Sequence, residues 1–392
     1  MIKQILQKEI ESIKDSSLYR SLKEIQPAGN GTALWEKKVI YNFAANNYLG
    51  LAAHPNLICA AKEALDKYGV GAGASRLISG TSSYHTELEE KTASFLNRES
   101  ALVFPTGYMA NLGTITALVD SERDLVVADR LCHASLIDAC RASGAVFKVF
   151  PHNDWQKLDA LLERSIPYRR ILVVTDGVFS MDGDLSALCE IGKVAQKHNA
   201  WLLVDDAHGL GVLGSHGRGA CEFLDAEELV TVFTGNFSKA VGVAGGFASG
   251  PSELKELLIN KARSFIFTTG IPPVLCAAAC AGLEIVINEP WRRERLMQNS
   301  CTVRSALRSF GFRVPDGITP IIPVMIGNER TVMELSHFLL EQGILVPGIR
   351  YPTVKKGQAR LRLSVQATHS DDDIRHLISI FASAAKKYVS AM

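Results

Sequence analysis

Leu202-Leu203-Val204-Asp205-Asp206-Ala207-His208-Gly209 is an apolar run that ends in two carboxylates and a histidine, and Ser238-Lys239-Ala240 stands further along the chain. A short apolar run of this kind reads as a buried parallel strand, and in open α/β sheets the chemistry gathers just beyond the carboxyl ends of such strands. Asp205 and His208 stand at that end. A carboxylate there can hold a heteroaromatic nitrogen protonated, an imidazole can hydrogen-bond a phenolic oxygen, and a lysine among small residues can form a Schiff base. Those are the needs of pyridoxal 5'-phosphate, the cofactor that this stretch predicts.

Outward from this stretch the chain alternates helix and strand. Helical periodicity fits Pro55 to Lys67, His85 to Asn97 and Tyr108 to Val119. Apolar runs fit strands at Leu125 to Ala128, Val146 to Phe150, Ile171 to Thr175, Trp201 to Val204 and Val230 to Phe233, with a further strand over 245–250. Such alternation predicts an α/β fold with a mostly parallel sheet covered by helices on both faces. Residues 1 to about 15 read as a helical arm, and Pro27-Ala28-Gly29-Asn30-Gly31 breaks the chain ahead of a short strand pair near Trp35 to Phe43. After a long helix from Pro272 towards Val286, Glu289-Pro290 opens a second α/β region. It reads as a helix, a strand Ile321 to Ile326, a helix Arg330 to Gln342, strands Ile344 to Val346 and Leu361 to Val365, and a final helix Asp371 to Tyr388. The expected division is an N-terminal arm with short strands over 1–50, a large cofactor-binding domain over 51–288, and a smaller C-terminal α/β domain over 289–392.

Composition narrows the function class. The 392 residues are too many for one ordinary core. Lys and Arg together number 42 against 41 acidic residues, which leaves no field to draw nucleic acid or an anionic membrane. The cysteines are scattered, and the close pair Cys276 and Cys280 lies in an alanine-rich apolar helix rather than at a metal-ligand spacing. Reduced thiols and no metal are expected. The segment Met1 to Ile10 is charged and amphipathic, unlike the apolar core of a secretion signal, and no apolar run is long enough to span a membrane, so a cytoplasmic protein is expected.

Other segments carry weaker signals. Gly69-Val70-Gly71-Ala72-Gly73-Ala74 superficially fits a dinucleotide fingerprint, but a helix precedes it and no acidic residue stands at the ribose position, which favours a loop lining a ligand site. Thr106-Gly107-Tyr108-Met109-Ala110-Asn111 opens a helix with small residues and free backbone N–H groups, as a phosphate seat does and as an ordinary cap does. His133 comes just after a strand end, where its ring either stacks on a bound aromatic ring or caps the next helix. The acidic, glycine-rich segment Asp176 to Asp184 comes after another buried strand and departs from a calcium-loop pattern. Asp205 and His208, three apart after an apolar strand, aim at one pocket, where a buried carboxylate finds its counterpart in a protonated ligand nitrogen. Lys239 is flanked by Thr234 to Ser238 and by Ala240-Val241-Gly242, small and polar enough to cradle phosphate.

As a set, these segments resemble the α-oxoamine synthases, fold-type I pyridoxal-phosphate enzymes, over nearly the whole chain. The resemblance is carried by Asn42 to Gly50, Ser75 to Thr81, Asp176 to Asp184, Val204 to Gly209, Phe237 to Ala240, Phe267 to Pro273, Tyr351 to Val354 and Ala359 to Arg362. Within the family, Asp205 to Gly209, Met181 to Asp184 and Arg350 to Val354 are most similar to the alanine-using members of biotin synthesis, while Asn46-Asn47-Tyr48 is similar to glycine-using ones.

The resemblance implies a catalytic set of Lys239, His133, Asp205 and His208, with Lys239 as the Schiff-base lysine, Asp205 as partner of the ring nitrogen and His133 stacked on the ring. His208 and Ser180 would contact the ring hydroxyl, Gly107 and Tyr108 the phosphate, and Thr268 and Thr269 the phosphate of a neighbouring subunit. Asn46 and Arg362 would hold the amino-acid carboxylate, and Arg20 and Thr353 match acyl-substrate or cofactor contacts. Asn236 stands where the family usually has Thr, so the amide is expected to be a weaker phosphate donor, and Asn236→Thr to tighten cofactor retention or leave it unchanged. The implied activity is that of a homodimer condensing L-alanine with a pimeloyl thioester, carried by coenzyme A or acyl carrier protein, with loss of carbon dioxide. Glycine-dependent acyl transfer and a catalytically silent binding protein on the same fold are the alternatives.

Overall fold

The computed structural model describes residues 1–15, 18–165 and 167–389. Helix α1 (Ile2–Asp15) lies wholly on the surface, and β1 (Gln26–Gly29), β2 (Thr32–Trp35) and β3 (Lys38–Asn42) form an antiparallel ribbon. The segment Pro27 to Gly31 is therefore more than a break. Gln26 pairs with Leu34, and the reversal is confined to Asn30 and Gly31, at φ 44° and 78°. Pro27 is accommodated because β1 is an edge strand, where a missing N–H costs no ladder on the open side.

The strands β4 (Ser100–Phe104), β5 (Asp124–Asp129), β6 (Val146–Phe150), β7 (Arg170–Asp176), β8 (Trp201–Asp205), β9 (Val232–Asn236) and β10 (Gly246–Gly250) make one seven-stranded sheet, ordered β4-β10-β9-β8-β7-β5-β6. Pairs within β5 to β9 are parallel, and β10 runs antiparallel to both β4 and β9. Alternate residues of the parallel strands enter two different cores: Leu125, Val127, Val173 and Val204 one, Val126, Ala128, Val174 and Leu203 the other. Apolar side chains on both faces are what helices on both sides of a parallel sheet require. The covering helices include α2 (Pro55–Tyr68), α3 (Ser83–Phe95), α4 (Gly107–Leu118) and α5 (Ala134–Ala142). Helix α3 begins and ends two residues before the expected His85 to Asn97, because Ser82 and His85 form a capping box and Asn97 takes the left-handed φ of 54°. Val230 comes after a short helical turn, Glu227–Leu229, so β9 starts at Val232. The expected elements omit β4, an edge strand, as well as α5, the helices Trp155–Glu163, Leu188–Lys197 and Ser252–Lys261, and the short helices Ala220–Phe223 and Arg263–Ile266.

The C-terminal strands β11 (Ile321–Gly327), β13 (Gly348–Ile349) and β14 (Ala359–Ser364) form an antiparallel sheet, packed by the helices Trp291–Ser309, Glu329–Glu341 and Asp371–Tyr388. Strand β12 (Ile344–Leu345) leaves this sheet and pairs parallel to β3, Ile344 opposite Tyr41. Pro347 comes soon after, and its missing N–H ends that ladder early. Two further backbone bonds tie the chain after β3 to the region of β14: Ser364 N–H to Phe43 O at 2.8 Å, and Ala367 N–H to Tyr48 O at 2.7 Å. They fix where Tyr48 stands. Among the described residues no single helix is long and apolar enough to cross a membrane, and all eight cysteines are free.

Candidate active site

The carboxyl ends of β5, β7, β8 and β9 open onto one cavity of about 210 Å³, lined by His133, Asp176, Asp205, His208, Asn236 and Lys239 among others. Asp205 ends β8, and both of its oxygens are engaged: Oδ1 accepts from Ala207 N–H at 3.0 Å and Oδ2 from Asn111 Nδ2 at 2.6 Å. Asn111 is fixed in turn, donating to Ser135 Oγ at 2.8 Å and accepting from Thr234 Oγ1 at 2.7 Å. Asp206, one residue on, points the other way. It accepts from Ala220 N–H, and a Cβ on Gly209 or Gly219 would stand 2.2 or 1.9 Å from its oxygens, so it organises the adjoining turn rather than the cavity. Burial, with Asp205 adding to it, pushes the Asp206 carboxyl up to about 7.

His133 caps α5, accepting Ser135 N–H at 3.3 Å on Nδ1, while its own backbone N–H donates to Asp176 Oδ2 at 2.8 Å. Capping and lining are thus compatible roles for one ring, since the cap uses an edge and leaves the faces free. Asp176 is buried, and desolvation and the nearby Asp205 push its carboxyl well above the usual range. Among the described residues no carboxylate lies within hydrogen-bond distance of Lys239. Burial lowers its ammonium below the usual lysine range, against the pull of Asp205 and Asp176. That is how a lysine becomes a usable nucleophile and base near neutrality.

The other end of the cavity is the start of α4, where Thr106 caps the helix by accepting Met109 N–H at 3.1 Å. Helix N-termini bind phosphate through their free N–H groups. The approach is close: a Cβ on Gly107 would meet Asn236 Cβ at 3.1 Å, and one on Gly246 would lie 2.4 Å from Gly107 N, so Gly246 lets β10 pass against the start of α4. Asn236 Oδ1 accepts from Ser238 N–H at 3.1 Å and Ser238 Oγ at 2.8 Å, which leaves Nδ2 facing Gly107 as a donor. A backbone N–H fixes that orientation, since it can only donate. Tyr108 is half-exposed and donates to Asp138 Oδ2 at 2.5 Å.

The roof is a second layer from elsewhere in the chain that meets the cavity through His208; its Asn46, Tyr48 and Arg362 are not among the residues that line the cavity. Buried Tyr48 shares a 2.7 Å hydrogen bond with His208 Nδ1, donates to Asn46 Oδ1 at 3.2 Å and lies 3.5 Å from Arg362 NH2. Arg362 also donates from Nε to Ser180 O at 2.6 Å and from NH1 to Ser364 Oγ at 3.1 Å. Burial, with the cations Lys239 and Arg362 nearby, drives His208 well below its ordinary value, so the ring is neutral. Ser180 and Thr353 line a neighbouring cavity of about 540 Å³, and Arg20 donates to Thr353 Oγ1 at 3.3 Å. Thr268 and Thr269 lie outside both cavities. Thr269 instead bridges to Ser75, next to the Gly69 to Ala74 loop, which lines neither cavity. Sequence reasoning passed over Asn111, Ser135 and Asp176 as site residues. The signal for Asn111 was its place one turn after Gly107, the spacing that returns a side chain to the face of the helix start.

A lysine, a helix N-terminus and a hydrogen-bonded carboxylate around one small cavity fit a phosphorylated heteroaromatic aldehyde: anion at α4, carbonyl carbon at Lys239, ring nitrogen at Asp205. Residues 38–381 match the family described as aminotransferase class I and II. The chain belongs to that family. 8-Amino-7-oxononanoate synthase from Bacillus pumilus is 41% identical over 382 residues, 97% of each chain. A serine palmitoyltransferase from S. paucimobilis, solved as a lysine-to-alanine variant with PLP and myriocin, is 33% identical with a TM-score of 0.92, covering 99% of this chain and 98% of its own. 8-Amino-7-oxononanoate synthase from Francisella tularensis is 30% identical with a TM-score of 0.76, covering 88% and 98%.

Proposed function

We propose that this protein is a pyridoxal-phosphate-dependent acyltransferase of biotin synthesis. It condenses L-alanine with a pimeloyl thioester to give 8-amino-7-oxononanoate, carbon dioxide and the free thiol carrier. The observation that carries the reading is Lys239 in one cavity with the bonded carboxylate of Asp205 and the α4 N-terminus. When bound, the cofactor supplies a protonated ring that draws off the electron pair left at Cα of the amino acid.

The chain's own residues do the rest. Asp205, steadied by Asn111 and Ala207, keeps the ring nitrogen charged. Lys239, disposed by burial towards its neutral form, takes the Cα proton of alanine and returns one to the same carbon after carbon dioxide has left. Between those two events a C–C bond forms to the thioester carbonyl as its C–S bond breaks. Neutral His208 and Tyr48 hold the ring oxygen side, and Arg362 with Asn46 holds the amino-acid carboxylate. The Thr353 cavity next door takes the acyl chain. A homodimer fits the surface around Thr269, where Val70, Ile78 and Phe267 are 80%, 80% and 70% exposed and a second copy would cover them.

The test is steady-state turnover of the PLP-loaded protein with alanine and pimeloyl thioester, on coenzyme A and on acyl carrier protein, against glycine with acetyl or succinyl thioesters. The alanine and pimeloyl pair is expected to win. Discriminating one methyl is worth only about 1–3 kcal/mol, so equal or better glycine turnover would move the protein to the glycine-using activity.

A further inference from the structure

Among the described residues, β6 with the loop after it is the one of the parallel strands β5 to β9 that sends no side chain to the smaller cavity. Just beyond β6 stands His152, held between two carboxylates. Its Nδ1 lies 3.1 Å from Asp129 Oδ1 and its Nε2 2.7 Å from Asp184 Oδ2. A neutral imidazole has one N–H, so serving both acceptors at once takes the imidazolium. Asp129 is fully buried at the end of β5, and also accepts from Leu131 and Asn153 N–H at 2.8 Å each. Asp184 depends on the histidine, because its Oδ1 is buried without a partner and the Asn153 amide is 3.4 Å from Oδ2. The His152 ring also stands edge-on to Phe179, centroids 4.4 Å apart.

Phe179 and Asp184 close the turn that carries Ser180. Phe179 N–H donates to Asp184 O at 3.0 Å, and Gly183 N–H to Phe179 O at 2.8 Å. The Ser180 carbonyl then receives Arg362 Nε at 2.6 Å, and Arg362 reaches Tyr48. A continuous set of contacts therefore runs from His152 through Asp184 and the turn to the arginine of the roof.

We propose that His152 is a positioning residue for the amino-acid carboxylate site: its imidazolium, clamped by Asp129 and Asp184, holds the 179–184 turn so that the Ser180 carbonyl aims Arg362. This rests on reading Arg362 as the carboxylate ligand. Burial opposes the charge, but the hydrogen bonds to Asp129 and Asp184 outweigh it and raise His152 to about 10. The other charged groups lining the larger cavity beside it are Arg130, Asp182, Lys355 and Arg360, of which Asp182 and Arg360 pair with each other.

Two readouts test the clamp in the PLP-loaded protein. Ring ¹⁵N NMR at about pH 9, assigned with His152→Gln, should find both His152 nitrogens protonated where an ordinary histidine is neutral. A neutral ring there overturns the clamp, whatever the reaction. Spectral titration with alanine alone should give a Kd raised about tenfold in His152→Gln and in Asp184→Asn, the double variant being no worse than either single one. Pimeloyl-thioester KM should stay within about threefold of the parent. Unchanged alanine Kd in both variants, even with a lowered Tm, would mean that the histidine only supports the fold. Wild-type protein that binds alanine but does not turn over with pimeloyl thioester would defeat the functional reading and leave the Kd comparison intact.

Discussion

The floor of the cavity takes Asn111, His133, Asp176, Asp205 and Lys239 from the ends of neighbouring strands and the helices next to them, whereas the roof brings Tyr48 and Arg362 together from 314 residues apart. Floor residues are held by bonds between the seven-stranded sheet and the helices that start beside it, such as Thr234 to Asn111 of α4 to Asp205. Roof residues depend on a seam where the chain after β3 meets the region of β14. The difference separates two jobs. On the proposed reading the floor would set the electronics and proton transfer, and the roof which substrate is held and how firmly.

Breaking the floor should therefore cost the most. Lys239→Ala is expected to abolish turnover while circular dichroism and oligomeric state stay unchanged, because among the described residues no other lysine lines the cavity. Measurable turnover in that variant would contradict the assignment. Asp205→Asn should slow Cα proton exchange by about a hundredfold or more, since an amide does not stabilise a protonated ring nitrogen as a carboxylate does. Exchange near the parent rate would remove Asp205 from its role.

The seam offers a pH test of the roof. His369 packs on Phe43 with centroids 4.0 Å apart and accepts Gln366 N–H at 3.1 Å. Burial lowers it to about 4. The folded state thus binds fewer protons than the unfolded one between about pH 6.5 and 4, so stability is complete above that window and is lost as pH falls through it. The loss amounts to about 3 kcal/mol, on the order of a few hundredfold in the folding constant. Denaturant unfolding at several pH values should find a shallower acid loss in His369→Gln than in the parent, and parallel curves would exclude this histidine as the cause.

Smaller effects sharpen the contrast. Arg362→Gln should raise alanine KM about tenfold with cofactor affinity unchanged, the loss of one charged hydrogen-bond partner. A matching loss of PLP affinity would blur floor and roof into one site. At the phosphate seat, the Ser238 bonds already orient the Asn236 amide towards Gly107, so the geometry favours a fall in PLP retention of about threefold for Asn236→Thr. Tighter retention would restore the expectation drawn from the family pattern.

The same division decides what the sequence made legible. Asp205, His208 and Lys239 could be placed at strand ends by apolar runs alone, because a parallel sheet ties residue position to the site. Tyr48 stands in a stretch noticed for Asn46, yet its hydrogen bond to His208 spans 160 residues, and no periodicity encodes that pairing. Arg362 was reachable only through family likeness, since it lies on a strand of the smaller sheet whose packing local patterns do not determine. For the same reason β12 reads with the C-terminal region, although its hydrogen bonds join it to β3. Two-residue strands carry too little pattern to name their partner. The buried parallel strands were legible, whereas the edge strand β4, α5 and the helices Trp155–Glu163, Leu188–Lys197 and Ser252–Lys261 were not, being short segments with too few turns to show a period.

The central claim is that Lys239 carries the cofactor over the Asp205 floor. It is tested most directly by reducing the PLP-loaded protein with borohydride, digesting it and mapping the pyridoxyl group by mass spectrometry. The account predicts a single modified peptide with the group on Lys239; a pyridoxyl group on any other lysine, with Lys239 unmodified, would contradict it.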